Sequence, residues 1–152
     1  MNGERETQDQ HCKNTLPQLL VAQAARFGTD SAAVREKAYG IWQTISWDGY
    51  LRYVKHTALG LYSLDCRRGE AVGLITDNHS EWLFSELGAQ SIGAVTLNLF
   101  TSAIAEELST SLSRVQATYV VVQDQEQVDK LIACRDKLSH IRKVVYIDPT
   151  GM

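Results

Sequence analysis

Four short apolar runs recur along this chain, at 71–76, 94–99, 119–122 and 143–147, and none of them alternates with polar residues. That pattern predicts strands covered on both faces, as in a parallel sheet. Between the runs, apolar residues return at three- and four-residue spacing, the period of amphipathic helices. The stretch 71–100 holds a whole strand, helix and strand. In it Asn78, His79 and Ser80 offer side chains to a first turn, Glu81 suits the helix dipole, and Leu83, Phe84 and Leu87 fall on one side. Gly88 and Gly93 are expected to permit close backbone approach and a turn into the next strand.

The same reading extends in both directions. Downstream, Thr101 or Ser102 is the expected cap of a helix with Glu106 and Glu107 in its first turns and Ile104, Leu108 and Leu112 on its buried side. Asp124 and Gln127 resemble a capping box ahead of Val128, Leu131, Ile132 and Leu138. Upstream, Thr15 caps a first helix with Pro17 in its first turn and Leu16, Leu19, Leu20 and Ala24 as its stripe, ending at Phe27-Gly28. Residues 33–36 and 41–47 flank a link, Lys37-Ala38-Tyr39-Gly40, and read as a hairpin. Asp48 then caps a helix carrying Leu51, Val54, Ala58 and Leu61 and closed by Arg67-Arg68-Gly69.

The predicted fold is α/β: an open, doubly wound, mostly parallel sheet with flanking helices, preceded by a small helix and hairpin lobe. Residues 1–14 are polar and without period, a mobile tail, and 15–152 form the folded part. Leu20, Val54, Leu61, Leu74, Leu83, Leu87, Val95, Val121, Leu131 and Val145 are expected to be buried, and His11, His56 and His140 to lie at the surface.

Composition narrows the function. A net charge of −3 over 152 residues, with scattered cations, gives no electrostatic reason to expect nucleic acid. No apolar run approaches the roughly 20 residues of a membrane span, and the polar opening lacks a signal-peptide core. Cys12, Cys66 and Cys134 are odd in number and widely spaced, which fits plain thiols in a reducing compartment. The expected location is the cytoplasm, with peripheral attachment to a membrane left open.

Candidate chemistry is sparse. His11 beside Cys12 lacks the further ligands a metal site needs. His56 has no acid or nucleophile placed near it by spacing. Gly88 to Gly93 has the glycine spacing of a phosphate loop but lacks the following Lys and leaves a helix for a strand, so packing and turning explain it better. The suggestive place is the loop Thr76-Asp77-Asn78-His79-Ser80, because ligands of open α/β sheets collect beyond the carboxyl ends of strands. Helix capping is the first reading of that loop and ligand contact the second.

Several separated blocks in order carry a family resemblance: Arg35 to Gln43 (REKAYGIWQ), Asn78 to Trp82 (NHSEW), Asp124 to Lys130 (DQEQVDK) and Asp148 to Met152 (DPTGM). From about Thr15 onward the chain resembles the N-terminal portion of AMP-forming long-chain acyl-CoA synthetases of the bubblegum-like type. The resemblance implies a parent enzyme that uses ATP to make an acyl-adenylate, passes the acyl group to CoA as a thioester and releases AMP. Mg²⁺, a lysine and a flexible Ser/Thr/Gly-rich loop would support the pyrophosphate leaving group there. Those elements lie outside the matched blocks, so the resemblance carries no catalytic, cofactor-binding or metal-binding residue onto this sequence, and ATP, Mg²⁺ and CoA are cofactors of the parent family only. Two positions depart from the pattern: Ser80 stands where the family commonly has proline, and Leu97 to Thr101 replaces a more tyrosine-rich turn.

Two functional readings follow. In the first, the chain is part of a long-chain fatty acid–CoA ligase, inactive alone, that meets the rest of a synthetase or self-associates through exposed apolar surface. In the second, it is a free-standing α/β interaction module derived from such an enzyme.

Overall fold

The computed structural model describes residues 15–151. The chain divides into two compact units, one through Arg52 and one from Tyr53.

In the first unit, helix α1 (Leu16–Phe27) starts on a reciprocal cap. The Thr15 hydroxyl accepts from the Gln18 amide, and the Gln18 side chain accepts from the Thr15 amide at 2.8 Å. The helix ends at Gly28, whose φ of 53° an L side chain rarely adopts. Leu20 and Ala24 are buried, but Leu16, expected in the same stripe, is exposed, because it opens the helix before its first full turn. Strands β1 (Ala32–Ala38) and β2 (Ile41–Ser46) pair antiparallel around Tyr39-Gly40. Both turn residues have positive φ, 51° and 80°, the geometry whose twist matches the strands of a tight hairpin. The strands therefore reach further toward the turn than the expected 33–36.

Helix α2 (Trp47–Ser63) begins one residue before the expected cap. Ser46, not Asp48, takes up a first-turn amide, accepting from Gly49 N at 3.2 Å, and Trp47 leaves the strand to stack on Phe27 with centroids 5.9 Å apart.

The second unit is a four-stranded parallel sheet in the order β4-β3-β5-β6: β3 (Ala71–Ile75), β4 (Val95–Leu99), β5 (Tyr119–Val122) and β6 (Lys143–Tyr146). Helices α3 (Ser80–Ser91), α4 (Ala105–Arg114) and α5 (Gln125–Ala133) make the crossovers, and a short 3-10 turn (Arg135–Lys137) follows α5. The chain leaves β3 toward one edge, then crosses back past β3 to β5 and on to β6. Right-handed crossovers in opposite directions place their helices on opposite faces, and the core divides accordingly. On one face Leu61 of α2 and Ala89 of α3 pack with Val72, Leu74, Tyr119 and Val121. On the other Leu108 and Leu112 of α4 and Leu131 of α5 pack with Ile75, Val120 and Val122.

This order corrects several expected burials. Val95 is 61% exposed because it opens β4 at the edge of the sheet, short of Leu97 and Leu99, which follow on the same face and pack against the core. Val145, on the opposite edge strand, is half-buried, as is Leu83 on α3. Ile104 and Ile132 are exposed, outside the stripes led by Leu108 and Leu131. His140 is half-buried, with Nε2 shielded from solvent and without a partner, whereas His56 is exposed as expected. His11 and Cys12 lie outside the described residues. Burial pushes the thiols of Cys66 and Cys134 above their ordinary pKa.

Candidate functional site

The crossovers from β3 and from β5 run in opposite directions, which leaves a crevice between the carboxyl ends of these neighbouring strands, where ligands of such sheets bind. The loop singled out in the sequence, Thr76 to His79, leaves β3 at this point. Asp77 binds in two directions: its amide donates to Gln123 Oε1 beyond β5 at 2.6 Å, and its carboxylate accepts from the Thr101 hydroxyl beyond β4 at 2.5 Å. The ammonium of Lys130 on α5 donates to the Thr101 carbonyl at 2.5 Å and pairs with Glu126 at 2.8 Å. Three strand ends and one helix are thus tied together by side chains.

This use of Thr101 displaces its expected role. Helix α4 is capped from Ile104, whose amide donates to Glu107, and neither Thr101 nor Ser102 serves as its N-cap. At α3 the N-cap is His79, which makes no side-chain capping bond. Ser80 is instead the buried first residue of the helix, its hydroxyl donating to Glu81 at 3.2 Å. By contrast, the Asp124 carboxylate accepts from Gln127 N as expected.

Beside the loop lies a cleft of about 410 Å³ with polar groups from Thr76, Asp77, Asn78, Asn98 and Thr101 and aromatic walls from Trp82 and Phe100. Trp82 is fixed by donation from Nε1 to Asn98 Oδ1 at 2.8 Å. Asn98 in turn donates to Glu86, which also accepts from Thr96 and Gln90. The hydroxyl of Thr76 is buried without a partner. The cleft can hold a ligand with a flat apolar part and a few acceptors or donors. No cluster of three or more metal-ligating side chains occurs among the described residues, and none of their helices is long and apolar enough to cross a membrane.

A second cavity, about 440 Å³, opens on the α2/α3 face of the sheet and is lined chiefly by Leu61, Leu64, Phe84, Val121, Val145 and Ile147. Sequence reasoning found Asp77 but missed Thr101, Gln123 and Lys130. The strand-end rule, applied to β4 and β5 as well as β3, points to the first two; nothing local marks Lys130.

Residues 20–152 match the family model described as AMP-binding enzyme. A long-chain-fatty-acid–CoA ligase of Xenopus laevis is 26% identical over 131 residues, covering 86% of this chain and 18% of that protein. An uncharacterized protein of Mycobacterium tuberculosis is 33% identical over 112 residues, covering 74% of this chain and 63% of that protein. Among solved structures, the N-terminal domain of FACL13 from Mycobacterium tuberculosis superimposes with a TM-score of 0.80 at 21% identity, covering 89% of this chain and 34% of that one. The chain spans about a fifth of the ligase it matches. Its fold, a parallel sheet flanked by helices, is that of the N-terminal domain of adenylate-forming enzymes.

Proposed function

We propose, from the premise that this chain belongs to the AMP-binding enzyme family, that residues 15–152 are the N-terminal portion of the adenylating domain of a cytoplasmic, ATP-dependent long-chain fatty acid–CoA ligase. In the parent reaction ATP, with Mg²⁺, activates the fatty acid carboxylate as an acyl-adenylate, and CoA takes the acyl group as a thioester. This portion contributes scaffold: a sheet, and a strand-end cleft whose aromatic walls would border a ligand. Alone it forms no acyl-adenylate.

The observation that carries this reading is the uneven cover of the sheet. Helices α4 and α5 pack one face, while the other opens over Val121, Val145 and Ile147 in the apolar groove. Strand β6 ends the sheet with Val144 and Tyr146 exposed. A parallel sheet calls for cover on both faces, and a free strand edge invites a further strand. The remainder of a synthetase would supply both.

Fatty-acid-dependent exchange between ATP and labelled pyrophosphate is the test. The isolated chain is expected to stay at background, and a clear signal from pure protein overturns the scaffold reading. A second reading, a free-standing interaction module, is favoured by the short mycobacterial relative, of which this chain covers 63%. Reading the coding sequence beyond codon 152 separates the two: an in-frame segment encoding a Ser/Thr/Gly-rich loop supports the ligase portion, and a stop codon supports the module.

A further inference from the structure

Strand β6 ends the sheet, and its backbone shows which groups are left over. Lys143 N donates to Thr118 O and Ile147 N to Val122 O, at 3.4 and 3.0 Å, so the odd-numbered residues turn their amides and carbonyls toward β5. These groups alternate in direction along a strand, which leaves the N–H and C=O of Val144 and Tyr146 facing the free edge. The side chains of both residues, on the α4/α5 face, are 40% and 49% exposed. Val145 and Ile147 point the other way, into the apolar groove beside α2 and α3. Past Ile147 the chain turns back to Gln125 at the start of α5, where Gly151 packs.

We propose that β6 pairs antiparallel with β6 of a second copy of this chain, about a two-fold axis normal to the sheet. Such an axis keeps each side chain on its own face, so a residue can meet only one of the same parity. The register that joins the outward-facing groups sets Val144 opposite the partner's Tyr146 and Tyr146 opposite the partner's Val144, each pair exchanging both of its hydrogen bonds. Val145 then lies opposite the partner's Val145, on the axis. Charge selects this direction. Arg142 and Lys143 stand at the start of the strand and Asp148 follows its end, so antiparallel pairing brings the basic end of each copy to the acidic end of the other. A parallel pairing would set Lys143 against Lys143 and Asp148 against Asp148. The antiparallel arrangement also lays the two apolar grooves side by side through Val145 and covers Val144 with Tyr146. The inference goes beyond the ligase reading and does not rest on it, since it concerns the 152-residue chain; a further strand of a larger synthetase would compete for the same edge.

Sedimentation equilibrium of the full chain is expected to show a monomer and a dimer. Val144→Pro removes an amide that faces outward and spares the bonds to β5, so it should weaken dimerisation about tenfold or more while circular dichroism stays native. Lys143→Glu and Asp148→Lys should each weaken self-association about tenfold, and mixing the two variants should recover it as a heterodimer, because opposite charges then meet at both ends. In a Cys12→Ser background, Val145→Cys should form an intermolecular disulfide on mild oxidation, since a non-hydrogen-bonded antiparallel pair sets its Cα atoms about 4.5 Å apart. Val144→Cys, which faces Tyr146, should cross-link about tenfold more slowly. Cys66 and Cys134 are buried and do not compete. A chain that stays monomeric at high concentration, a mixture of charge variants that does not recover, or Val144→Cys cross-linking as fast as Val145→Cys overturns the proposal. Pyrophosphate exchange tests the ligase reading separately, so either can fail without the other.

Discussion

Gly88 and Thr57 mark a close approach of two helices in the second unit. A Cβ added to Gly88 would lie 2.8 Å from the Cβ of Thr57 and 3.2 Å from the Ala58 amide nitrogen. The obstacle is a branched carbon and a backbone atom, so relief requires moving a helix rather than turning a rotamer. Gly88→Val is expected to destabilise the unit by about 1–3 kcal/mol or more, and Gly88→Ala by less. The shift of the denaturant midpoint at constant slope measures both.

Asp77 holds the strand ends together through Thr101 and Gln123. Asp77→Ala should cost about 0.5–1.5 kcal/mol and raise hydrogen exchange in the loops after β3 and β4. Asp77→Asn, which keeps the shape and an acceptor, should recover part of the protection. Equal exchange in the native and Ala forms would show that the carboxylate does not organise the loops.

Alkali should unfold the second unit early. Burial pushes the pKa of Tyr119, Cys66 and Cys134 upward, and the neighbouring Glu70 adds to the effect at Cys66. A raised pKa means that the unfolded chain gives up its proton first, so the contribution is complete below the unfolded values, roughly 8.5 for a thiol and 10 for a phenol. It is lost as pH rises through the higher folded values. Stability followed by denaturant midpoints should therefore fall above about pH 8.5, and Cys66→Ser should reduce the slope of that fall after its own packing cost is subtracted. At neutral pH a thiol reagent should reach Cys66 and Cys134 only on unfolding, since both are buried.

The open groove and the β6 edge should make the isolated chain associate or bind a dye that reports apolar surface. Sedimentation at several concentrations checks this. Val145→Lys, at a half-buried position lining the groove, should weaken both signals. A chain that remains monomeric at high concentration, binds no dye and melts sharply would favour the interaction module.

Local sequence determined the elements and their order. The reciprocal pair Thr15 and Gln18, the capping Asp124, the turn glycines at positions 40 and 93 and the all-buried run Tyr119 to Val122 each act through neighbours a few residues away or through composition alone. The ordered blocks likewise carried the family, and the strand-end loop at Asp77 was visible as a place. Tertiary structure alone decided which strands lie at the edges. Val95 and Val121 are the same residue type in similar apolar runs, yet one is 61% exposed and the other 3%, because strand order, and hence cover, depends on crossovers that span the unit. It also decided the partners of polar side chains. Thr101 has the chemistry of a helix cap and is drawn instead to Asp77, 24 positions away in sequence, because the parallel register of β3 and β4 brings their ends together. A hydroxyl's preference is local, but the carboxylate it finally meets is placed by the sheet.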